Sequence, residues 1–509
     1  MSHVRIMSPR PQITMNLKKF AKNSLIAIAV IIAVGLTGAA LLTTRAFFVR
    51  FPTVQPWAMG AKVAPIPAPE NFDRTVEILA GGLRIPTVDG DTTGLAKFSE
   101  FRDYLQKSYP VVFKTMEYKL IGDGAIVLIW RGKDSSLPPM MFNAHYDVVP
   151  PGNWADAFNP IVANGRITAR GSIDMKSTLF ALMNAANNLI ASGFQPTRDV
   201  IFAFTNNEET STDASATITK YLKSRGIVPD ALFDENGMIN VMNLDGKDYG
   251  FALIGVAEKG YLTVKITVHA KGGHSSIPGK NTAAGAVSEI IRRLEKNQMP
   301  ARLSGDNGTL LKTLGTASGI VSKIFIGNRD VLKPIVTSQL SESAETNAAI
   351  RTTTAITKWW AGDADNVMPN VAYIIVNFRL MPGDSIEDVV KHIKKQLVGF
   401  NATVEIVPNQ AWEASRVSPT DTHGYKQLLL AIKYVFPAAN AVPYTSLAAG
   451  DTKNYQHLWG GVAAPEIYRF TPAMYDIDLV HATGESLSLD DFARMNAYYK
   501  YLIQNYDER

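Results

Sequence analysis

Cysteine is absent from all 509 residues. Disulfide frameworks and thiolate-held zinc sites are therefore excluded, and any bound metal must be held by histidine and carboxylate groups. A strong charge bias is lacking as well: 51 Lys and Arg against 46 Asp and Glu leave a formal net charge of +5. Part of that excess sits at the N-terminus, in Arg5, Arg10, Lys18, Lys19 and Lys22. No basic stripe or RNA-binding signature runs through the remainder, so nucleic acid is not expected as a partner. Internal repeats are absent, and a Pro-rich stretch at residues 64–70 is the one low-complexity segment.

What is present is a globular composition, 46% hydrophobic and 19% charged, with mean hydropathy near zero. The length predicts about two or three domains. Residues 24–42, "SLIAIAVIIAVGLTGAALL", carry no charge, and Thr43 and Thr44 extend them to Arg45. A helix of that length spans a bilayer. Lys18, Lys19 and Lys22 precede it, which places residues 1–23 in the cytoplasm and the folded mass outside. The expectation is a single-pass membrane protein with its body periplasmic or lumenal. The alternatives are a cleaved signal and a secreted protein, since "GLTGAA" offers small residues, or a buried core helix. Residues 45–70 read as a Pro-stiffened spacer.

From residue 71 helical and strand patterns alternate. "FDRTVEILAGGL" and "GLAKFSEFRDYLQKSYP" read as helices, "AIVLIWRG" and "PPMMFNAHYDVV" as strands, "KSTLFALMNAANNLIASG" as a helix ended by Gly193. "DVIFAFTNNEE" is a near-continuous apolar run, as in a strand buried on both faces. This order predicts an α/β domain with a largely parallel sheet, whose functional groups gather at the carboxyl ends of the strands. At about residue 258 the pattern changes. "GYLTVKITVHA" alternates with period two, as a strand with one solvated face does, and helices and strands follow to about residue 412. The α/β pattern then resumes. Residues 258–412 are thus an α+β domain inserted between two parts of the first, 71–257 and 413–509.

Five polar sites fall at or beyond the ends of strands. They are His145 with Asp147, Asp174 before a helix, the pair Glu208-Glu209, the pair Asp234-Glu235, and His481 in the returning segment. Each alone is ordinary: a helix cap, a solvated loop, a turn, a surface histidine. Gathered on one sheet edge, the carboxylates would repel one another unless a cation neutralised them. Imidazole and carboxylate donors fit Zn²⁺, or Mn²⁺ or Co²⁺. A bridging carboxylate with two outer histidines and two outer carboxylates holds two such ions. One carboxylate is then left over as general base.

The ordered series "NAHYDVVP", "GSIDMKST", "NNEE", "LFDENG", "GGHSSIPG", "TNAAIRTTTA", "NFRLMPG" and "VHATGES" resembles the co-catalytic zinc amidohydrolases. That family includes aminoacylase-1, carboxypeptidase S and the N-fatty-acyl-amino-acid synthase/hydrolases, and "NAAIRTTTA" points to the last two. The resemblance runs from about residue 72 to the C-terminus. It implies two zinc ions per subunit and an inserted lid or dimerisation domain. By the same resemblance His145, Asp174 (bridging), Glu209 and His481 are ligands. The acidic pair supplies another, with Asp234 favoured and Glu235 left open. Asp147 orients His145, Glu208 is the general base, and His274 polarises the scissile carbonyl, often across a homodimer. Asn347 and Arg379 match lid residues that bind substrate.

The chain departs from the family pattern at several points. "TSTDAS" follows "NNEE" where glycines are usual, "DMKST" replaces DMKG, and Ala482 stands where Gly is common. Lys453 of "GDTK" replaces an arginine, and Lys meets a carboxylate as a point charge rather than a fork. The resemblance implies a carboxypeptidase S-like metallopeptidase acting on amide bonds next to a free carboxylate. An N-acyl-amino-acid synthase/hydrolase or aminoacylase is the alternative within enzymes, and a non-catalytic binding protein the alternative outside them.

Overall fold

The computed structural model describes residues 39–57, 71–90, 94–461 and 463–508. The apolar run at 24–44 lies outside them apart from residues 39–44, which are helical together with residues 45–48. No helix among the described residues is long and apolar enough to cross a membrane.

The body is organised around a nine-stranded sheet. Eight strands follow in the order Glu117–Ile121, Ala125–Trp130, Val200–Thr205, Met140–His145, Ala231–Asp234, Ile467–Arg469, Lys247–Glu258 and Asn440–Ser446. Ile239–Leu244 pairs with Lys247–Glu258 off that path. The four central strands, Val200–Thr205 through Ile467–Arg469, are mutually parallel. The expectation of a largely parallel sheet holds there and fails toward the edges. Ala125–Trp130 is antiparallel to both its neighbours, and the short turn at residues 122–124 dictates that pairing with Glu117–Ile121.

Strands Met140–His145 and Val200–Thr205 are buried at every position, and alternate residues enter different cores. Met140, Phe142, Ala144, Phe202 and Phe204 pack under the helices Lys176–Ala191 and Leu489–Asn505. Met141, Ile201 and Ala203 face Ile218 and Leu222 of helix Asp213–Ser224 on the other side. That is the period-two division of a sheet covered on both faces.

Residues 260–412 form a second, antiparallel sheet in the order Thr353–Trp360, Val371–Leu380, Gly260–His269 and Ala402–Trp412. Val371–Leu380 alternates strictly between half-buried and buried positions. Its buried side packs on helices Ala283–Lys296 and Ile386–Gln396. Thr282 caps the first by accepting from the Gly285 amide, and Ser385 with Asp388 forms a capping box on the second. Between these elements, helices Gly305–Ala317, Gly319–Gly327, Lys333–Leu340 and Ala344–Ile350 fill a stretch whose apolar pattern announced no element.

Candidate functional site

The carboxyl ends of the parallel strands bring together most of the residues singled out above. Strand Met140–His145 ends in a fully buried imidazole. Its Nδ1 lies 3.1 Å from the Asp147 carbonyl oxygen. Its Nε2 faces Asp174 Oδ1 at 2.9 Å and Glu235 Oε1 at 3.4 Å. The other oxygen of Asp174, Oδ2, lies 3.0 Å from Nε2 of His481, and that nitrogen is 3.1 Å from Glu209 Oε2. Two groups result, His145–Asp174–Glu235 and Asp174–Glu209–His481. Within each, one potential ligand atom per residue lies within 4.8 Å of the others. Asp174 belongs to both and turns one oxygen to each histidine, as a bridging ligand would.

The electrostatics fit a pair of divalent cations. Burial and the neighbouring Asp174 push the Glu235 carboxyl up to about 8. Burial also raises Glu209, and its Oε1 is buried without a hydrogen-bond partner. His481 is raised to about 10 by its bonds to Asp174 and Glu209. Burial works against a charged His145, yet Glu235, Asp147 and Asp174 outweigh it and hold the ring well above its ordinary value. Three carboxylates and two imidazoles, with no sulfur, are the donor set of borderline cations. Such ions would supply the positive charge that protons otherwise supply.

Asp147 belongs to neither group. Its two oxygens accept from the backbone amides of Glu208 at 3.2 Å and Glu209 at 3.0 Å. The same side chain comes within 3.4 Å of His145 Nδ1. It thus ties the imidazole to the loop that carries the leftover carboxylate. Glu208 itself is pushed well above the ordinary range, first by burial and then by surrounding acids. Gly450 closes over it. A Cβ at that position would stand 2.9 Å from Glu208 Oε1. The Gly450 amide is held by Glu258 Oε1 at 3.2 Å, and Glu258 pairs with the buried Arg469 at 3.0 Å.

Asp234, the favoured member of its pair, is displaced from the ligand set. Successive residues on a strand point to opposite faces, and the fold turns Glu235 toward His145. Asp234 Oδ1 accepts instead from Asn143 Nδ2 at 3.1 Å, and Asn143 Nδ2 also reaches Asp451 Oδ2 at 3.3 Å. His274 likewise joins neither group. It is exposed on the two-residue strand Gly273–His274, with Nδ1 2.7 Å from Ser276 Oγ.

Arg379 and Lys453 stand at the two ends of a pair of rings on the second sheet. Tyr261 is in register with both Arg379 and Trp412. The Arg379 guanidinium lies 4.6 Å from the Tyr261 ring centroid, Tyr261 stacks on Trp412 at 4.6 Å, and Lys453 Nζ sits 4.1 Å over Trp412. Two cations therefore bracket two stacked rings. Burial lowers the Lys453 ammonium, although Asp451 and Glu208 pull the other way. Asn347, in helix Ala344–Ile350, bonds Gln298 through Nδ2 at 3.3 Å and leaves its buried Oδ1 without a partner.

Residues overlooked in the sequence hold the ligands in place. Glu485 is fully buried and pairs with Arg170 at 2.7 Å. Its oxygens also accept from the amides of Gly171, Ile173 and Asp174 at 3.1, 2.7 and 3.2 Å. Arg170 donates in turn to the carbonyls of His481 and Ala482. This clamp fastens the Asp174 loop to the His481 loop. Glu485 lies inside "VHATGES" and Arg170 directly precedes "GSIDMKST", but nothing in their spacing marks them as partners.

Comparisons with known proteins give the fold and the family. The human N-fatty-acyl-amino acid synthase/hydrolase is 32% identical over 448 residues, 85% of this chain and 87% of that protein. A probable carboxypeptidase S-like protein of Dictyostelium discoideum is 29% identical over 419 residues, 80% of this chain and 79% of that one. Among solved structures, a metallo-carboxypeptidase from Sulfolobus solfataricus shares the fold, with a TM-score of 0.62 at 18% identity, covering 85% of this chain and 99% of that one. The description "Peptidase family M20/M25/M40" matches residues 141–505. With more than half of its length inside that match, the chain belongs to peptidase family M20/M25/M40.

Proposed function

We propose that the protein is a membrane-anchored di-zinc hydrolase that cleaves amide bonds next to a free carboxylate, with peptides or N-acyl amino acids as substrates. The observation that carries this reading is the pair of ligand groups sharing Asp174, with Glu208 beside them and in neither group. His145, Asp174 and Glu235 would hold one ion, and Asp174, Glu209 and His481 the other. Bound there, the ions supply Lewis acidity and lower the pKa of water. Glu208 takes the proton of the attacking water and returns it to the leaving nitrogen. Asp147 keeps His145 and the Glu208 amide in register, and Gly450 leaves room for the base. Lys453 and Arg379, bracketing the Tyr261–Trp412 stack, receive the substrate carboxylate, with Asn347 on the same lid. His274 enters from a second copy, through a homodimer of the inserted domain at residues 258–412.

Two experiments test this reading. Hydrolysis of a panel of dipeptides and N-acyl amino acids is measured before and after dialysis against chelator. Activity is expected to disappear with the metal and to return with Zn²⁺, at two ions per chain, one for each ligand group. Chelator-resistant hydrolysis would remove the metal from the scheme. Lys453→Ala is expected to raise KM about tenfold for substrates with a free carboxylate, the scale of one lost charge-assisted hydrogen bond. KM for the same substrates capped as amides should hardly move. An equal change for both would show that Lys453 does not read the carboxylate.

A further inference from the structure

We propose that the protein touches the bilayer at a second place, a lateral patch made by the helical residues 39–48 and helix Gly319–Gly327, which seats the folded body on a lipid surface. The proposal rests on reading residues 24–44 as a membrane span, and goes beyond it by assigning a lipid-facing surface to the folded body.

The first support is where the body grips the N-terminal segment. Asn328 Nδ2 donates to the Leu42 carbonyl at 2.8 Å, and Arg45 pairs with Asp330. Ala46 is buried at 7% exposure against Gly327, where an added Cβ would lie 3.3 Å from the Ala46 Cα. The carboxyl end of helix Gly319–Gly327 is therefore strapped to the last turn of the apolar run and the first turn beyond it. At about 1.5 Å of rise per residue, Leu42 lies only about 3 Å below Thr44, where the apolar run ends. A body element packed there stands at headgroup depth.

The second support is what the two helices leave uncovered. Leu41, Phe47 and Phe48 are 66%, 77% and 86% exposed. Ile320, Val321 and Phe325 of the neighbouring helix are 58%, 62% and 39% exposed. Isolated exposed apolar residues are ordinary, but six of them on two elements packed together at Ala46 and Gly327 point to a contact surface. Paired aromatics beside Arg45 and Arg50 suit the interface between hydrocarbon and water. Helix Gly319–Gly327, "GIVSKIFIG", carries one charge, Lys323, and no acid. Apolar side chains with a cation are the composition of a helix lying in an anionic lipid surface. Continuity with the span selects the bilayer as occupant over a second copy of the chain.

The absence of native cysteine makes the test direct, since one introduced thiol carries one label. Full-length Val321→Cys, Phe325→Cys and Val398→Cys variants are labelled with a fluorophore. They are then placed in phosphatidylcholine–phosphatidylserine vesicles containing a lipid quencher at headgroup depth. Val398 is 70% exposed and lies just beyond helix Ile386–Gln396 of the other core in the insertion, so it serves as the solvent-facing control. Labels at 321 and 325 are expected to be quenched several-fold more than the label at 398. If the chain floats with the vesicles and all three labels are quenched alike, the patch is overturned while the anchor stands. If the chain does not float with them, the anchor and the patch fall together. Energy transfer between labels at 321 on different copies, without lipid quenching, would assign the surface to self-association and also overturn the proposal.

Discussion

Glu208→Gln is expected to lower turnover by about 10²–10⁴-fold, the usual contribution of a positioned general base, while both metal sites still fill. The substitution keeps the shape of the side chain beneath Gly450 and removes its ability to take a proton. Glu208 lies in neither ligand group, so metal content measured on the purified variant should equal that of the parent. KM should change little, because the loss falls on the chemical step. A variant that keeps near-normal turnover would end the assignment of Glu208 as base. One that loses both activity and metal would make it a ligand. Burial is what prepares the group for this work: it raises the carboxyl well above its ordinary range and so makes it a better proton acceptor.

The largest effect on stability is expected from Glu485→Ala. The change strands Arg170, which is 2% exposed, and strips the amides of Gly171, Ile173 and Asp174 of their acceptor. Removing one partner of a buried ion pair costs about 3–5 kcal/mol, because the other charge stays buried without compensation. Urea denaturation of metal-free protein isolates that cost from any loss of metal. The same clamp holds the Asp174 loop against the carbonyls of His481 and Ala482. Metal affinity should therefore weaken even though neither clamp residue is a ligand. Arg170→Met with Glu485→Leu, which removes both charges and fills the volume, should regain much of the stability and little of the affinity. If the single variant unfolds at the parent's urea midpoint, the clamp contributes nothing.

Much of the site was legible before any fold was known. The apolar runs that end in His145, in Glu208-Glu209 and in Asp234-Glu235 could be read as buried strands, and strands of a parallel sheet deliver their ends to one edge. The change of period near residue 258 falls where the antiparallel sheet of residues 260–412 begins. The helices from 305 to 350 were not legible. Helix Gly305–Ala317 buries Leu311 and Ala317 among Asn307, Gly308, Thr313 and Gly315, and its leucines are divided between two small cores, so its helical period is weak.

The sequence by itself determined the chemistry of this protein: no thiol, a set of imidazoles and carboxylates, and strand ends to carry them. Only the tertiary structure decided which side chains share a site. It chose Glu235 over Asp234, bound Asp147, already expected outside the ligand set, to two amides, and placed His274 on an exposed strand. It also brought His481 to Asp174 through a buried pair that no local pattern links. The physical reason is one of direction. Residue types and periods are local, whereas the way a side chain points at the end of a strand depends on where the pleat stops and on what packs behind it.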